Sequence, residues 1–218
     1  MSPVHSAPRY LAVLTVCLLS VGLWQVGEGS WIYAKARLAQ YLLRRAWSRS
    51  LAGEPQVRPW PWADTWPIAR LSVPSQGIDQ IVLEGAYGRT LAFGPGHVES
   101  SVEIGQPGTV ILTGHRDTHF RFLERLRPGD VMILQSRTGH WISFSVRDVQ
   151  VVDSRIARIH TDTKDTQLIL VTCYPFDAIT ARGSLRYVVT AEARQREGAT
   201  FLSWSWRLES KQIVSVYD

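Results

Sequence analysis

Residues 168–176 read LILVTCYPF. Four apolar residues and a threonine lead into Cys173, and a tyrosine, a proline and a phenylalanine follow. A short apolar run rich in branched side chains, stopped by a proline, is the pattern of a buried strand that ends in a turn. The only other cysteine in the chain is Cys17, inside an apolar N-terminal stretch. A disulfide between a residue of such a stretch and a strand-end cysteine is implausible. A lone cysteine is often a small buried hydrophobe. The alternative is that the strand is a rigid mount for a reactive thiol.

Working outward, the same kind of run recurs. IARLSV, DQIVLEG, GTVILTG, DVMILQS, WISFSVRDVQVV and LRYVVTAEA are β-branched and apolar, and Gly, Pro, Asp and Ser bound them. HWISFSVRDV alternates apolar and polar residues, so it predicts a strand with one wet face. Nothing between these runs has the length of regularly spaced helices, which argues against a doubly wound parallel sheet. The pattern predicts an all-β barrel with short helical turns, THFRFLERL being the best of them.

Upstream the chain changes character. Residues 10–26, YLAVLTVCLLSVGLWQV, carry no charge, and only Thr15, Ser20 and Gln25 interrupt them. Roughly 17–25 such residues cross a bilayer as a helix. Tyr10 and Trp24 sit near the two ends, where aromatic rings favour the headgroup region. Ala34-Lys35-Ala36 mimics a signal cleavage site but lies eight residues past the apolar run. An uncleaved anchor is therefore expected, with a cleaved signal as the alternative. YAKARLAQYLLRRAWSRSLA predicts a juxtamembrane helix with Leu38, Tyr41, Leu42 and Ala46 on one face. Residues 52–67 hold four prolines and three tryptophans (Trp60, Trp62 and Trp66), the composition of a linker. Those rings are expected to pack the linker on its own domain. The expected organisation is residues 1–9 as a cytoplasmic N-terminus, 10–26 as a transmembrane anchor, 27–67 as helix and linker, and 68–198 as the barrel. Residues 199–218 are unassigned, although FLSWSW alternates like an added strand.

The net charge of +5 comes from the N-terminal part. Residues 1–50 hold six basic residues and one acid, and the remaining 168 hold 18 of each. A neutral folded part does not support a phosphate-binding stripe, so nucleic acid is not an expected partner.

Two other strand ends carry chemistry. His115 follows TVIL within TGHRDTHF, and Arg186 lies in LRYVV, 58 and 13 residues from Cys173. A thiol attacking a carbonyl needs a proton carrier, which a histidine supplies. It also needs donors for the oxyanion, which an arginine supplies. A free thiol is only a few per cent thiolate at neutral pH, so a neighbouring cation has a role there.

LVTC followed by LRYVV, together with TGHR, resembles the sortases, a family of cysteine transpeptidases. LAFGPGHVE and HFRFLERLRPGDVMIL fit the same family, and the linker RPWPWADTWPIARL resembles its Gram-negative, proteobacterial branch. GQPGTVIL departs from the family in lacking the Gly-Asn that many sortases carry before the histidine strand. The resemblance covers about residues 60–193 and implies an eight-stranded β-barrel behind a membrane anchor. It implies catalysis by His115, Cys173 and Arg186, with Thr172 as a substrate contact. The implied substrate is a secreted protein with a C-terminal LPxTG-like signal, cleaved between Thr and Gly and passed to an amine. The implied location is the inner membrane, with the barrel in the periplasm. Transfer to water, and a non-enzymatic tethered barrel, are the alternatives. No cofactor is expected.

The remaining polar residues read more plainly. His115 and His119, with Asp117 between them, would suit zinc on a helix, but they follow a strand and have no obvious third ligand, so no metal is expected. Calcium would need clustered carboxylates, for which Asp162 and Asp165 make a thin case. His97 is expected to brace the barrel, His140 and His160 to lie at the surface, and Arg182 to be the nearest substitute for Arg186.

Overall fold

The computed structural model describes residues 9–161, 163, 165–178, 183–194 and 213–214. Asp162, Arg182 and the FLSWSW stretch lie outside the described residues, as do residues 1–8. The chain divides into two compact units, Met1–Tyr41 and Leu42–Asp218, and helix α1 (Arg9–Leu51) contributes to both.

In the first unit the helix is exposed along its apolar length, Leu14 and Leu18 included. Its most apolar 18-residue window has a mean hydropathy of 1.8, so it meets the length and apolarity of a bilayer span. On the same helix Arg37 donates to the Tyr33 hydroxyl, and the Lys35 ammonium stands 4.7 Å from the Trp31 ring centre.

The second unit is a closed barrel of eight strands. They are β1 (Pro67–Val73), β2 (Ile78–Glu84), β3 (Gly96–His97), β4 (Thr109–Thr113), β5 (Val131–Ser136), β6 (Trp141–Asp153), β8 (Gln167–Cys173) and β9 (Leu185–Ala193). Their order around the barrel is β1-β2-β3-β4-β8-β9-β6-β5, and β5 returns to β1. Pairs β2–β3 and β4–β8 are parallel and the rest antiparallel. Closure leaves the barrel no free edge. Outside it, β7 (Ile159–His160) pairs antiparallel with β10 (Ile213–Val214). A four-residue helix α2 (Gly88–Leu91) precedes β3, and a 3-10 turn (Arg121–Arg125) precedes β5.

The seven apolar runs all form barrel strands, and THFRFLERL gives the 3-10 turn. The eighth strand, β3, has only two residues and no apolar pattern to announce it. Its Gly96 is dictated by space: a Cβ there would lie 2.2 Å from the Gly85 carbonyl oxygen. The next residue, His97, is buried. Its ring bonds the Val102 carbonyl and the Ser101 hydroxyl, each at 3.1 Å, and so braces the barrel as expected.

Alternation sorts the strand residues between two apolar layers. Val110, Leu112, Leu168, Leu170, Val189 and Ala191 fill the interior with Phe120, Met132, Leu134 and Phe144. Ile111, Ile169 and Val171 point the other way and form an outer cluster with Val98, Ile159 and Val188. On β6, Phe144 and Val146 point inward, which matches the expected wet and dry faces, until a bulge at Arg147 shifts the register.

The expected face of the juxtamembrane helix needs correction. Leu38 and Tyr41 are exposed, and the buried positions are Leu43, Ala46, Trp47 and Ser50. Leu43 and Trp47 pack on Ile81 and Leu83 of the barrel, with Trp60 and Phe93 completing the cluster. The arginines at 44 and 45 hide this i, i+3, i+4, i+7 stripe in the sequence. Of the linker tryptophans, Trp60 packs edge-on to Phe93 at 4.9 Å and Trp66 packs against the barrel core, whereas Trp62 is exposed.

Candidate active site

The spacing between His115, Cys173 and Arg186 is the register of the barrel. Strands β4 and β8 run parallel with Thr109 opposite Gln167 and Thr113 opposite Val171, a constant offset of 58 residues. β4 ends two residues before His115, which therefore lies at the same end of the sheet as Cys173. On the other side, β8 and β9 run antiparallel with Cys173 directly opposite Arg186. The Tyr174 N–H donates to the Leu185 carbonyl at 3.0 Å. Cys173 and Arg186 are therefore a non-hydrogen-bonded pair, the kind whose side chains stand closest. Both belong to the outer face that carries Val171 and Val188. Cys173 and Arg186 are half-buried and His115 is exposed.

Local sequence holds the three strand ends in place. Thr172 is fully buried, and its hydroxyl donates to the Gly114 carbonyl at 2.7 Å, tying β8 to the residue before His115. The Gly114 N–H in turn reaches the Val171 carbonyl at 3.3 Å. A Cβ at Gly114 would lie 2.9 Å from the Phe120 ring, so only glycine lets the chain pass over it. The Phe120 N–H closes the His115 turn on the His115 carbonyl at 2.9 Å. His119 lies in this turn, where burial pushes its imidazole below the usual histidine range and a bond to the Ala92 backbone partly offsets that. The segment is a turn and not a helix, so His115 and His119 do not share a helical face. Among the described residues no three His, Cys, Asp or Glu side chains are grouped to hold a metal ion.

Three arginines fasten the backbone around the thiol. Arg116 donates to the Ala178 carbonyl at 2.8 Å and Arg121 to the Phe176 carbonyl at 3.0 Å, so the His115 loop grips the segment that follows Cys173. Arg186 Nη1 donates to the carbonyls of Gly183 and Leu185 at 2.7 and 3.0 Å. Beneath them Tyr187 stacks on Tyr174 at 6.1 Å and meets Phe176 edge-on at 5.0 Å. Sequence reasoning missed Arg116 and Arg121, because an arginine aimed at a carbonyl looks like any surface arginine.

The sortase-domain family model matches residues 71–194, the whole barrel except the first four residues of β1. The chain belongs to the sortase family. Sortase D of Bacillus subtilis (strain 168) is 31% identical over 120 residues, which span 55% of this sortase and 60% of that relative. Sortase A from Corynebacterium diphtheriae superposes with a TM-score of 0.54 at 26% identity, over 69% of this chain and 70% of the other. The fold is also that of a Clostridium perfringens sortase C determined with the C-terminal cell wall sorting motif, at a TM-score of 0.52 and 18% identity, over 75% and 91% of the two chains. The family-model match lies within the barrel region. The long apolar helix precedes the matched residues.

Proposed function

We propose that this sortase is a membrane-anchored cysteine transpeptidase that cleaves an LPxTG-like sorting signal between Thr and Gly and passes the acyl group to an amine. The observation that carries the reading is the shared register: one outer face carries the thiol of Cys173 opposite Arg186, with His115 two residues past the parallel strand. Cys173 loses its proton to His115, and its sulfur attacks the threonine carbonyl. The C–N bond breaks, and His115 returns the proton to the departing glycine amine. An incoming amine then gives a proton to His115 and displaces the sulfur, leaving a new amide and a free thiol. Arg186 holds the signal and the developing oxyanion, and exchange of its carbonyl bonds for substrate bonds accompanies productive binding. Thr172, bonded to Gly114, acts by positioning His115 and not by touching substrate. A structural thiol would be sealed in the core, whereas Cys173 is half-buried.

The same reading makes residues 10–26 an inner-membrane anchor, with residues 68–198 as a periplasmic barrel of the Gram-negative branch. Lys35 and Arg37 outnumber Arg9, which opposes that orientation, but Glu28 lies nearest the membrane and the later arginines stand at the limit of the charge rule. Export of the substrate is what favours the periplasm. An alkaline phosphatase fusion after Gly53 is expected to be active, and a stable inactive fusion overturns the topology.

The deciding assay incubates the detergent-solubilised full chain with an LPxTG-type peptide, with and without an added amine. Amide product that depends on the amine supports the transpeptidase. Acid product alone, whatever amine is present, replaces it with a peptidase, and uncleaved peptide removes the enzymatic reading.

A further inference from the structure

A cleft of about 340 Å³ lies where the end of α1 meets the proline-rich linker, between Arg45 and Arg49 of the helix and Arg58, Pro59, Trp60 and Pro61 of the linker. Its volume falls at the low end of small-molecule sites, which run from about 300 to 1,000 Å³. The lining holds three arginines and no acid. Arg45 and Arg49 stand one helical turn apart on α1, and Arg58 faces them from the linker. Glu54 pairs with Arg49. The guanidinium groups of Arg45 and Arg58 have no hydrogen-bond or ion-pair partner among the described residues. Neither the barrel strands nor the residues around Cys173 contribute to this cleft.

The walls are stiff. Pro59 and Pro61 fix the linker on either side of Trp60, whose ring is pinned edge-on against Phe93. Ala46 is buried in the helix face. With Arg49 neutralised by Glu54, Arg45 and Arg58 leave the cleft net positive, and a concave site with net charge attracts counter-ions. Guanidinium forks match the oxygens of a phosphate group bidentately, and a tetrahedral phosphate has enough oxygens to engage more than one fork, where a carboxylate has two.

We propose that this cleft binds a phosphate-bearing anion, with the Trp60 ring as the wall for the part that carries the phosphate. A lipid headgroup and a soluble phosphate share this chemistry, and the test has an arm for each. Pyrophosphate is titrated into the full chain in nonionic detergent by calorimetry. In parallel, amide hydrogen exchange over residues 42–61 is compared between nanodiscs of phosphatidylcholine alone and nanodiscs that also contain phosphatidic acid. The proposal expects saturable pyrophosphate binding, or protection specific to phosphatidic acid, and a loss of about tenfold or more in either signal in R45Q/R58Q. Pyrophosphate binding assigns a soluble ligand, and protection by phosphatidic acid alone assigns a lipid. If the double variant melts early, Arg58→Gln alone is used, since Arg58 is exposed on the linker. Absence of both signals overturns the site, as does full retention of the signal in a folded variant.

Discussion

Around Cys173, the side chains of Arg116, Arg121 and Arg186 each donate to a backbone carbonyl, whereas Arg45 and Arg58 at the α1 cleft have no such partner among the described residues. The residue type is the same and the charge is the same. Around the thiol the guanidinium works as a fastener, adding side-chain bonds to loops that hold few backbone bonds to the strands, such as Gly114 to Val171 and Tyr174 to Leu185, and so fixing the strand ends that carry His115 and Cys173. At the cleft it works as an outward charge. The positive charge of this chain therefore cannot be read as one surface. Only the partner of each guanidinium tells whether it serves the fold or something outside it.

The sharpest way to test the rim is to remove the atom it presents. Cys173→Ala is expected to abolish peptide cleavage while circular dichroism and melting stay close to those of the parent, because the half-buried sulfur fills little core space. Cys17→Ala, in the apolar helix, is expected to keep its activity. Cleavage that survives Cys173→Ala would end the assignment.

Arg186→Lys keeps the charge and loses the planar fork. A loss of about 2–4 kcal/mol in transition-state stabilisation is expected from kcat/KM, the range for one lost oxyanion donor. A near-parental rate would reduce Arg186 to a fastener like Arg116.

Thr172→Val removes the bond to Gly114 but preserves shape. It leaves a buried carbonyl without its donor, so unfolding in denaturant should show a loss of about 1–3 kcal/mol. Activity is expected to fall further than stability alone explains, because the turn that carries His115 loses its tie to β8. Equal losses would make Thr172 a core residue only.

Arg116→Ala and Arg121→Ala each remove a side-chain bond between the two loops. A cost of about 1–2 kcal/mol is expected for each, the scale of a charge-assisted hydrogen bond at a partly wet site. Faster amide exchange in residues 174–178 would identify the loosened segment. Unchanged exchange there would mean that the strands alone hold it.

The smallest effect is a pH dependence. Burial keeps His119 below its ordinary value, so between the folded and unfolded pKa the unfolded chain binds more protons. Stability from this residue is present above about pH 6.5 and is lost as pH falls through that window. His119→Gln should flatten the denaturation midpoint below pH 6.5. An unchanged slope would show that the imidazole titrates freely.

The strands are legible in the sequence, because period-2 patterning and β-branched runs are local properties of the chain. Seven of eight barrel strands follow from it, as does an apolar helix long enough to span a bilayer. It also exposed the unusual thiol and its two candidate partners, through residue type and a family resemblance. The two-residue β3 was not legible, since Gly96 and His97 carry no pattern and form a strand only because β2 and β4 flank them. The buried stripe Leu43, Ala46 and Trp47 was hidden among arginines until the barrel supplied the surface it packs on. That 58 residues along the chain equal one step sideways from β4 to β8 is a property of the assembled barrel. Register is fixed by which face of each strand meets the core, and a slip of one residue would turn Cys173 inward and Thr172 outward. That choice depends on contacts among strands far apart in sequence, and no local window contains it.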